Sequence, residues 1–232
     1  MIQIGKALPD NLILALDVNE PEVALKWVRR MKGRMGIFKI GLQLFTREGP
    51  DIVRRVRDEG VDVFLDLKLH DIPNTVAKAV TSCGTLGARF LTVHAMGGSD
   101  MLRAAADASV SSMTILGVTV LTSHSQEDLK ELGFNHSITG EVSLLARLGK
   151  ESGLRGFVCS PHEIAHLRSE LGEGITLVTP GVRPAGGSQD DQSRVMTPQE
   201  ALSLGSSHVV LGRPILRAEN PEAVVDEILS GK

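Results

Sequence analysis

Eight short apolar runs recur along the chain, and each is followed by a longer segment with apolar residues at helical spacing. The runs are continuously apolar rather than alternating, which is typical of parallel strands that are buried on both faces. The predicted strands are Leu12–Asp17, Ile37–Ile40, Val61–Leu67, Phe90–Val93, Thr114–Val120, Gly156–Cys159, Thr176–Thr179 and His208–Leu211. The predicted helices are Pro21–Met31, Ile52–Glu59, Pro73–Leu86, Ser99–Ala108, Gly140–Ser152, Pro161–Arg168, Pro198–Leu204 and Pro221–Leu229. This strict alternation predicts a parallel sheet.

The number of strand–helix units favours one architecture. Eight units in an α/β chain predict a closed (β/α)8 TIM barrel. The alternative is an open doubly wound sheet, but no GxGxxG or Walker A sequence follows any predicted strand. No linker or shift in composition divides the chain, so we expect one domain over residues 1–232. Two connections, Thr122–Thr139 and Pro180–Thr197, are longer than the rest, and long loops at this end of a barrel are usually functional.

Composition and charge argue against two classes of binding partner, nucleic acids and membranes. The 232 residues are 42% hydrophobic, with a net charge of -3, six Phe, one Trp and no Tyr. A nucleic-acid binder usually carries a basic face and stacking aromatic residues, so we expect no nucleic-acid partner. No apolar run approaches the ~20 residues that span a bilayer, and residues 1–10 lack the pattern of a secretory signal. With two isolated cysteines, these features predict a cytoplasmic protein with no membrane partner.

Charged residues lie inside apolar runs, near the strand ends where barrel enzymes form their active sites. Lys39 interrupts one apolar run, and Asp66 and Lys68 interrupt the next. A chain that simply leaves its core would not place charges there, and buried charges persist only when they are paired. Asp66 and Lys68 are two residues apart, so an extended strand would present both on one face. The alternative to an active site is a structural ion-pair network.

The segment Asp66-Leu67-Lys68-Leu69-His70-Asp71-Ile72-Pro73-Asn74-Thr75 resembles the signature of the orotidine 5′-phosphate decarboxylase family nearly residue for residue. The resemblance covers the whole chain, and no matched functional position departs from the family pattern. It includes Leu14-Ala15-Leu16-Asp17, Phe38-Lys39-Ile40-Gly41, Leu121-Thr122-Ser123, Pro180-Gly181-Val182-Arg183-Pro184, Asp191-Gln192 and Leu211-Gly212-Arg213-Pro214-Ile215. The resemblance implies decarboxylation of orotidine 5′-phosphate to UMP and CO2, the last step of de novo pyrimidine nucleotide synthesis. It also implies a homodimer and the absence of any cofactor or metal.

The resemblance further implies a role for each matched residue. Lys39, Asp66 and Lys68 would form an alternating set of catalytic charges with Asp71 of the partner subunit. Lys68 would stabilise the carbanion and protonate it, while Asp66 would repel the substrate carboxylate. The remaining contacts with substrate would come from Asp17 and Lys39 to the ribose, Thr122 to the pyrimidine, Thr75 across the dimer interface, and Arg183, Gln192, Gly212 and Arg213 to the phosphate.

Two other functions stay open. Related barrels that decarboxylate 3-keto-L-gulonate 6-phosphate or synthesise hexulose phosphate share a DxKxxD motif, but they bind magnesium through an acidic residue at the exit of strand 2. This chain has Lys39 there, and a cation would repel the metal. A non-catalytic barrel that binds nucleotide phosphate would keep Gln192 and Arg213, but it would not need Asp66 and Lys68.

One further motif points to metal chemistry. His162-Glu163-Ile164-Ala165-His166 matches the HExxH pattern of zinc proteases. However, Ser160-Pro161-His162-Glu163 also fits a capping box with Pro at the first helical position. A cap would occupy the Glu163 carboxylate, and no third ligand follows in the metalloprotease spacing. We therefore expect a helix start here and no metal site.

Overall fold

The computed structural model describes residues 9–184 and 196–231. Its strands are β1 Leu12–Ala15, β2 Ile37–Gly41, β3 Asp62–Leu69, β4 Phe90–His94, β5 Thr114–Val118, β6 Gly156–Val158, β7 Thr176–Thr179 and β8 His208–Leu211. Its helices are α1 Pro21–Met31, α2 Leu42–Glu48, α3 Asp51–Arg57, α4 Pro73–Thr85, α5 Gly98–Asp107, α6 Gln126–Glu131, α7 Ile138–Glu151, α8 Ile164–Leu171, α9 Pro198–Ser203, α10 Arg213–Leu216 and α11 Pro221–Ser230. The strands close into a barrel in the order of the sequence. The predicted (β/α)8 barrel is confirmed.

Three short helices were not predicted. They are α2, α6 and α10, and α6 lies inside the long connection Thr122–Thr139, which was expected to be a loop. A capping box begins α6: the Ser125 hydroxyl accepts from the Asp128 N–H, and the Asp128 carboxylate accepts from the Ser125 N–H. Each missed helix has seven residues or fewer, so it makes at most two turns and shows little helical periodicity.

Contacts group the described residues into two units. The first comprises the described residues up to Asp66 and those from Val178 onward, and the second is Leu67–Leu177. In the first unit β1 pairs with β2 and β8, β2 pairs with β3, and β7 pairs with β8. In the second unit β5 pairs with β4 and β6. The expectation of a single domain over residues 1–232 stays a prediction.

The capping box predicted at Ser160 is confirmed. The Ser160 N–H donates to Glu163 Oε2 at 2.8 Å, and the Ser160 side chain accepts from the Glu163 N–H. Residues Pro161–Glu163 form a 3-10 turn ahead of α8. His166, the second histidine of the HExxH pattern, places its Nε2 atom 2.6 Å from Ser143 Oγ. The motif therefore starts a helix and joins α8 to α7.

Within the part of the chain that the structure describes, no helix is both long enough and apolar enough to cross a membrane.

In the second unit, two glycines make room for the fully buried ring of Phe157. A Cβ atom added to Gly117 in β5 would lie 2.9 Å from the ring atom Cδ1. One added to Gly149 in α7 would lie 2.6 Å from Cε1 and 3.3 Å from a methyl of Leu154. These distances are too short for carbon atoms, so the ring occupies the space that the two missing side chains leave.

We predict that Gly149→Ala lowers the free energy of unfolding by about 1–3 kcal/mol, because the added methyl overpacks a full core. Helix propensity alone predicts the opposite sign, since Ala is about 1 kcal/mol better than Gly inside a helix. Urea unfolding followed by circular dichroism measures the change.

Gly174→Ala is the matched control, because a Cβ atom at Gly174 would have no neighbour within 4 Å. We expect it to change stability by no more than about 0.5 kcal/mol. A Gly149→Ala protein as stable as the wild type would show that the Phe157 ring moves aside freely.

Candidate active site

In the first unit, a lysine of β2 lies between a carboxylate of β3 and one just beyond the end of β1. Lys39 Nζ is 3.3 Å from Asp66 Oδ2 and 3.5 Å from Asp17 Oδ1. The side chains of Lys39 and Asp66 are 13% and 15% exposed, whereas that of Asp17 is 55% exposed. Charges that are this far out of water need partners, and the ammonium provides one for the half-buried carboxylate of Asp66. Asp17 extends the same ion-pair chain to the solvent.

Strand register brings these residues together. Ala15 of β1 is opposite Lys39, and Gly41 of β2 is opposite Asp66. Beyond the end of β1, the Leu16 N–H donates to the Lys39 carbonyl at 2.9 Å, which carries the chain on towards Asp17. A Cβ atom at Gly41 would lie 3.3 Å from Lys39 Nζ, so the glycine leaves room for the ammonium.

Two further predicted residues follow β8 in the same unit. A Cβ atom at Gly212 would lie 3.6 Å from Asp17 Oδ2, so Gly212 is adjacent to the lysine–carboxylate cluster. Arg213 is exposed and begins α10 directly after Gly212. Both residues lie at the exit of a barrel strand, where phosphate sites are common.

Of the other two residues predicted to bind phosphate, only Arg183 is among the described residues. Arg183 is half-buried, and its N–H donates to the Met196 carbonyl at 3.1 Å. This hydrogen bond joins the two ends of the long connection after β7. Gln192 lies outside the described residues.

In the second unit, Lys68 has an unusual backbone conformation. Its φ is 49°, and among the described residues it alone has a positive φ without being glycine. This conformation costs a non-glycine residue about 1–3 kcal/mol. The Lys68 N–H donates to Oγ1 of Thr92, a fully buried residue of β4, at 2.8 Å. Because β3 is not extended at Lys68, a period of two does not determine which way this side chain points.

Thr92 was not singled out from the sequence. The signal for it was a polar residue inside the apolar run Phe90–Val93. Threonine is also a common strand residue, so the run alone did not distinguish a structural hydrogen bond from β propensity.

Two histidines stack next to Lys68. The ring centroids of His70 and His94 are 5.5 Å apart, with an interplanar angle of 28°. His94 Nδ1 is buried and has no hydrogen-bond partner in the described chain. Burial is the largest influence that lowers the pKa of His94 below its ordinary value, followed by His70, Lys68 and His124. His94 is therefore uncharged at neutral pH.

The end of β3 leads into an exposed segment. Asp71, Ile72 and Thr75 are all exposed, and the Asp71 carboxylate accepts from the Ile72 N–H at 2.6 Å. Ile72 is 66% exposed, which is high for a large apolar residue. Thr122, just after β5, is also exposed.

The chemistry of these residues is that of fixed charges. In the first unit, one ammonium group and two carboxylates are held as fixed charges that can stabilise developing charge. Among residues 9–184 and 196–231, no group of three or more His, Cys, Asp or Glu side chains is arranged to hold a metal ion.

Comparisons with known proteins place this fold in a family. A family model described as "Orotidine 5'-phosphate decarboxylase / HUMPS family" matches residues 10–228. An orotidine 5′-phosphate decarboxylase from Syntrophotalea carbinolica is 48% identical over 227 residues, which cover 94% of this chain and 93% of that protein. One from Opitutus terrae is 49% identical over 223 residues, covering 95% of this chain and 97% of that protein.

A solved structure agrees with the sequence comparison. The crystal structure of orotidine 5′-phosphate decarboxylase from Lactobacillus acidophilus matches with a TM-score of 0.85 at 36% identity, covering 95% of this chain and 98% of that chain. Sequence and fold thus agree over almost the full length. The chain belongs to the orotidine 5′-phosphate decarboxylase / HUMPS family.

Proposed function

We propose that this chain is a carboxy-lyase that converts orotidine 5′-phosphate to UMP and CO2 without a cofactor, the last step of de novo pyrimidine nucleotide synthesis. The identities of 48% and 49% to proteins named for this activity support the proposal. The observation that carries it within the family is Lys39 at the end of β2, paired with Asp17 and Asp66. Magnesium-dependent relatives need an acidic residue at this point, and an ammonium repels a divalent metal.

The reaction requires strong charge stabilisation. Cleavage of the bond to CO2 leaves an electron pair on a pyrimidine carbon, and the ring offers no electron sink. Without a cofactor, the protein has to lower the barrier by about 20 kcal/mol, towards the upper part of the usual enzyme range. Preorganised charges are the available means, because they need no reorganisation during the reaction.

The proposed roles divide along β3. Lys68 stabilises the carbanion and donates the proton that forms the new carbon–hydrogen bond, and solvent then reprotonates its amine. Asp66 lies beside the substrate carboxylate and repels it until CO2 departs. Lys39 holds Asp66 in place and contacts the ribose, and Asp17 accepts hydrogen bonds from the ribose hydroxyls.

The remaining substrate contacts are at other strand exits. Arg183, Gln192, Gly212 and Arg213 bind the phosphate in this proposal, and Thr122 binds the pyrimidine. The planar guanidinium of an arginine suits a phosphate. Binding energy from the phosphate, which is remote from the reacting carbon, can then serve to orient the pyrimidine.

We also propose a homodimer in which Asp71 and Thr75 complete the site of the partner subunit. Ile72 supports an interface here, because a large apolar side chain that is 66% exposed gains from being covered. A two-fold axis would let each subunit supply the same segment to the other.

The proposal also covers domain organisation and location in the cell. We propose that residues 1–232 work as one domain. We further propose that the protein acts in the cytoplasm, with support from Cys83 and Cys159, which are buried cysteines outside any disulfide, as is usual in reducing compartments.

The first prediction concerns substrate and metal. Purified protein should consume orotidine 5′-phosphate in an ultraviolet assay, with full activity after exhaustive EDTA treatment, because Lys39 occupies the position that a metal-binding acid would need. Activity that is lost in EDTA and restored by magnesium would favour the magnesium-dependent relatives. A protein that binds UMP without consuming the substrate would favour a non-catalytic barrel.

The second prediction concerns the proton donor. Lys68→Ala should nearly abolish kcat, because the change removes the ammonium group that donates the proton to the carbanion in this proposal. Lys26→Ala, a change to an exposed lysine of α1, is the matched control and should leave kcat unchanged. Circular dichroism should show that both variants are folded. If Lys68→Ala keeps more than about a tenth of wild-type kcat, a loss under about 1.4 kcal/mol, the proposed role is wrong.

The third prediction concerns the shared site. Inactive Lys68→Ala and Asp71→Ala proteins should regain activity when their subunits are exchanged. In each heterodimer one site carries both changes, and the other has an intact Lys68 and an intact Asp71. Random exchange makes half of the dimers mixed, so activity should return to about a quarter of the wild-type value. Verified exchange without recovery would mean that Asp71 serves its own subunit.

A further inference from the structure

The stacked pair of His70 and His94 has no part in the function proposed above. His70 directly follows β3, and His94 is the last residue of β4. Their rings join the ends of these two strands at a centroid distance of 5.5 Å. Lys68 is two residues before His70, so the stack fixes the chain immediately after the lysine.

A second attachment fixes the chain at the lysine itself. The Lys68 N–H donates to Thr92 Oγ1 at 2.8 Å, and Thr92 is two residues before His94. The residues 68–70 are thus tied to β4 at both ends. Between these ties the backbone of Lys68 has a φ of 49°, a conformation that is uncommon for a non-glycine residue and costs free energy.

We propose that His94 is a positioning residue for Lys68 and holds it in its left-handed conformation through the stack on His70. This inference about His94 rests on the proposed function in one respect, the catalytic role of Lys68. The ring contacts and the charge of His94 concern the folded protein alone, so they can be tested separately.

The surroundings of His94 favour the neutral ring. An imidazolium has two N–H donors, and both need acceptors when they are buried. His94 Nδ1 is buried without a partner in the described chain, so protonation there would leave a donor unsatisfied. The titratable groups that act on it are Lys68 and His70 from the β3 side and His124 from the segment after β5, and each lowers its pKa in addition to burial.

Acid should therefore disturb the site in a defined direction. The pKa of His94 lies below the ordinary histidine value of about 6.5. As pH falls through the pKa of the folded protein, His94 becomes a second cation beside Lys68, and kcat should fall. Between the two pKa values the unfolded chain binds more protons than the folded one. The contribution of neutral His94 to stability is therefore complete above about pH 6.5, and it is lost as pH falls through the pKa of His94 in the folded protein.

The test compares His94→Phe with His94→Ala over pH 5–8 in the ultraviolet assay. His94→Phe keeps an aromatic ring and cannot titrate, so it should stay within ~3-fold of wild-type kcat at pH 8 and lose less activity in acid. His94→Ala removes the stack and should lower kcat by at least ~10-fold while KM changes less than ~3-fold, because Lys68 acts in the transition state. His162→Ala, a change to an exposed histidine, is the control and should change neither constant.

A second measurement does not depend on activity. The pKa of His94 in the folded protein, measured by NMR from its ring resonances, should rise in Lys68→Ala and stay constant in Lys26→Ala. An unchanged pKa in Lys68→Ala, or a wild-type kcat in His94→Ala, would overturn the role of His94. If the wild-type protein is inactive but the pKa of His94 still rises in Lys68→Ala, the proposed function is refuted and the interaction between Lys68 and His94 is not.

Discussion

A charged lysine within the apolar run of β2 needs carboxylate partners, because burying an unpaired charge is costly, and this requirement connects three strands. Lys39 obtains those partners from Asp17 beyond β1 and from Asp66 in β3. Parallel register supplies the alignment, since Gly41 and Asp66 are opposite each other. A slip of one residue would turn every side chain of a strand to the other face, and a larger residue at Gly41 would crowd the ammonium. The ion pairs therefore constrain both the strand pairing and the choice of small residues at the strand ends.

The same cluster separates the chemistries that this family name covers. A divalent metal at the end of β2 would need an acidic ligand and would be repelled by the Lys39 ammonium. A reaction that develops negative charge without a metal benefits from cations that are already in place. The ion pairs offset the cost of placing the Lys39 charge in a half-buried position, and the proposed function uses that same charge to bind substrate. In the proposed function Lys39 is both a member of a structural ion pair and a substrate-binding cation, which explains why sequence alone left a structural network open.

Sequence predicted much of this molecule, and its failures have physical causes. Continuous apolar runs located all eight strands to within two residues at each end, because strands buried on both faces leave a strong signal. The helices α2, α6 and α10 are too short to show periodicity, and the Ser125-Gln126-Glu127-Asp128 sequence that caps α6 was not identified as a helix start. The charges of the site were found because they interrupt apolar runs. Their partners were not fixed by that argument, because pairing depends on register between strands that are distant in sequence.

The conformation of Lys68 marks the limit of local reasoning. A positive φ at a lysine has no local cause, and it depends on Thr92 and His94, more than twenty residues away in sequence. The strain of about 1–3 kcal/mol is small beside the barrier reduction of about 20 kcal/mol that the proposed reaction demands. It does weigh against a folded state whose net stability is only about 5–15 kcal/mol, so it persists only because the surrounding packing outweighs it. In the proposed function, restraints on backbone and ring fix the ammonium of Lys68 before the substrate arrives, and such preorganisation is of most use where charge has to be stabilised without a cofactor.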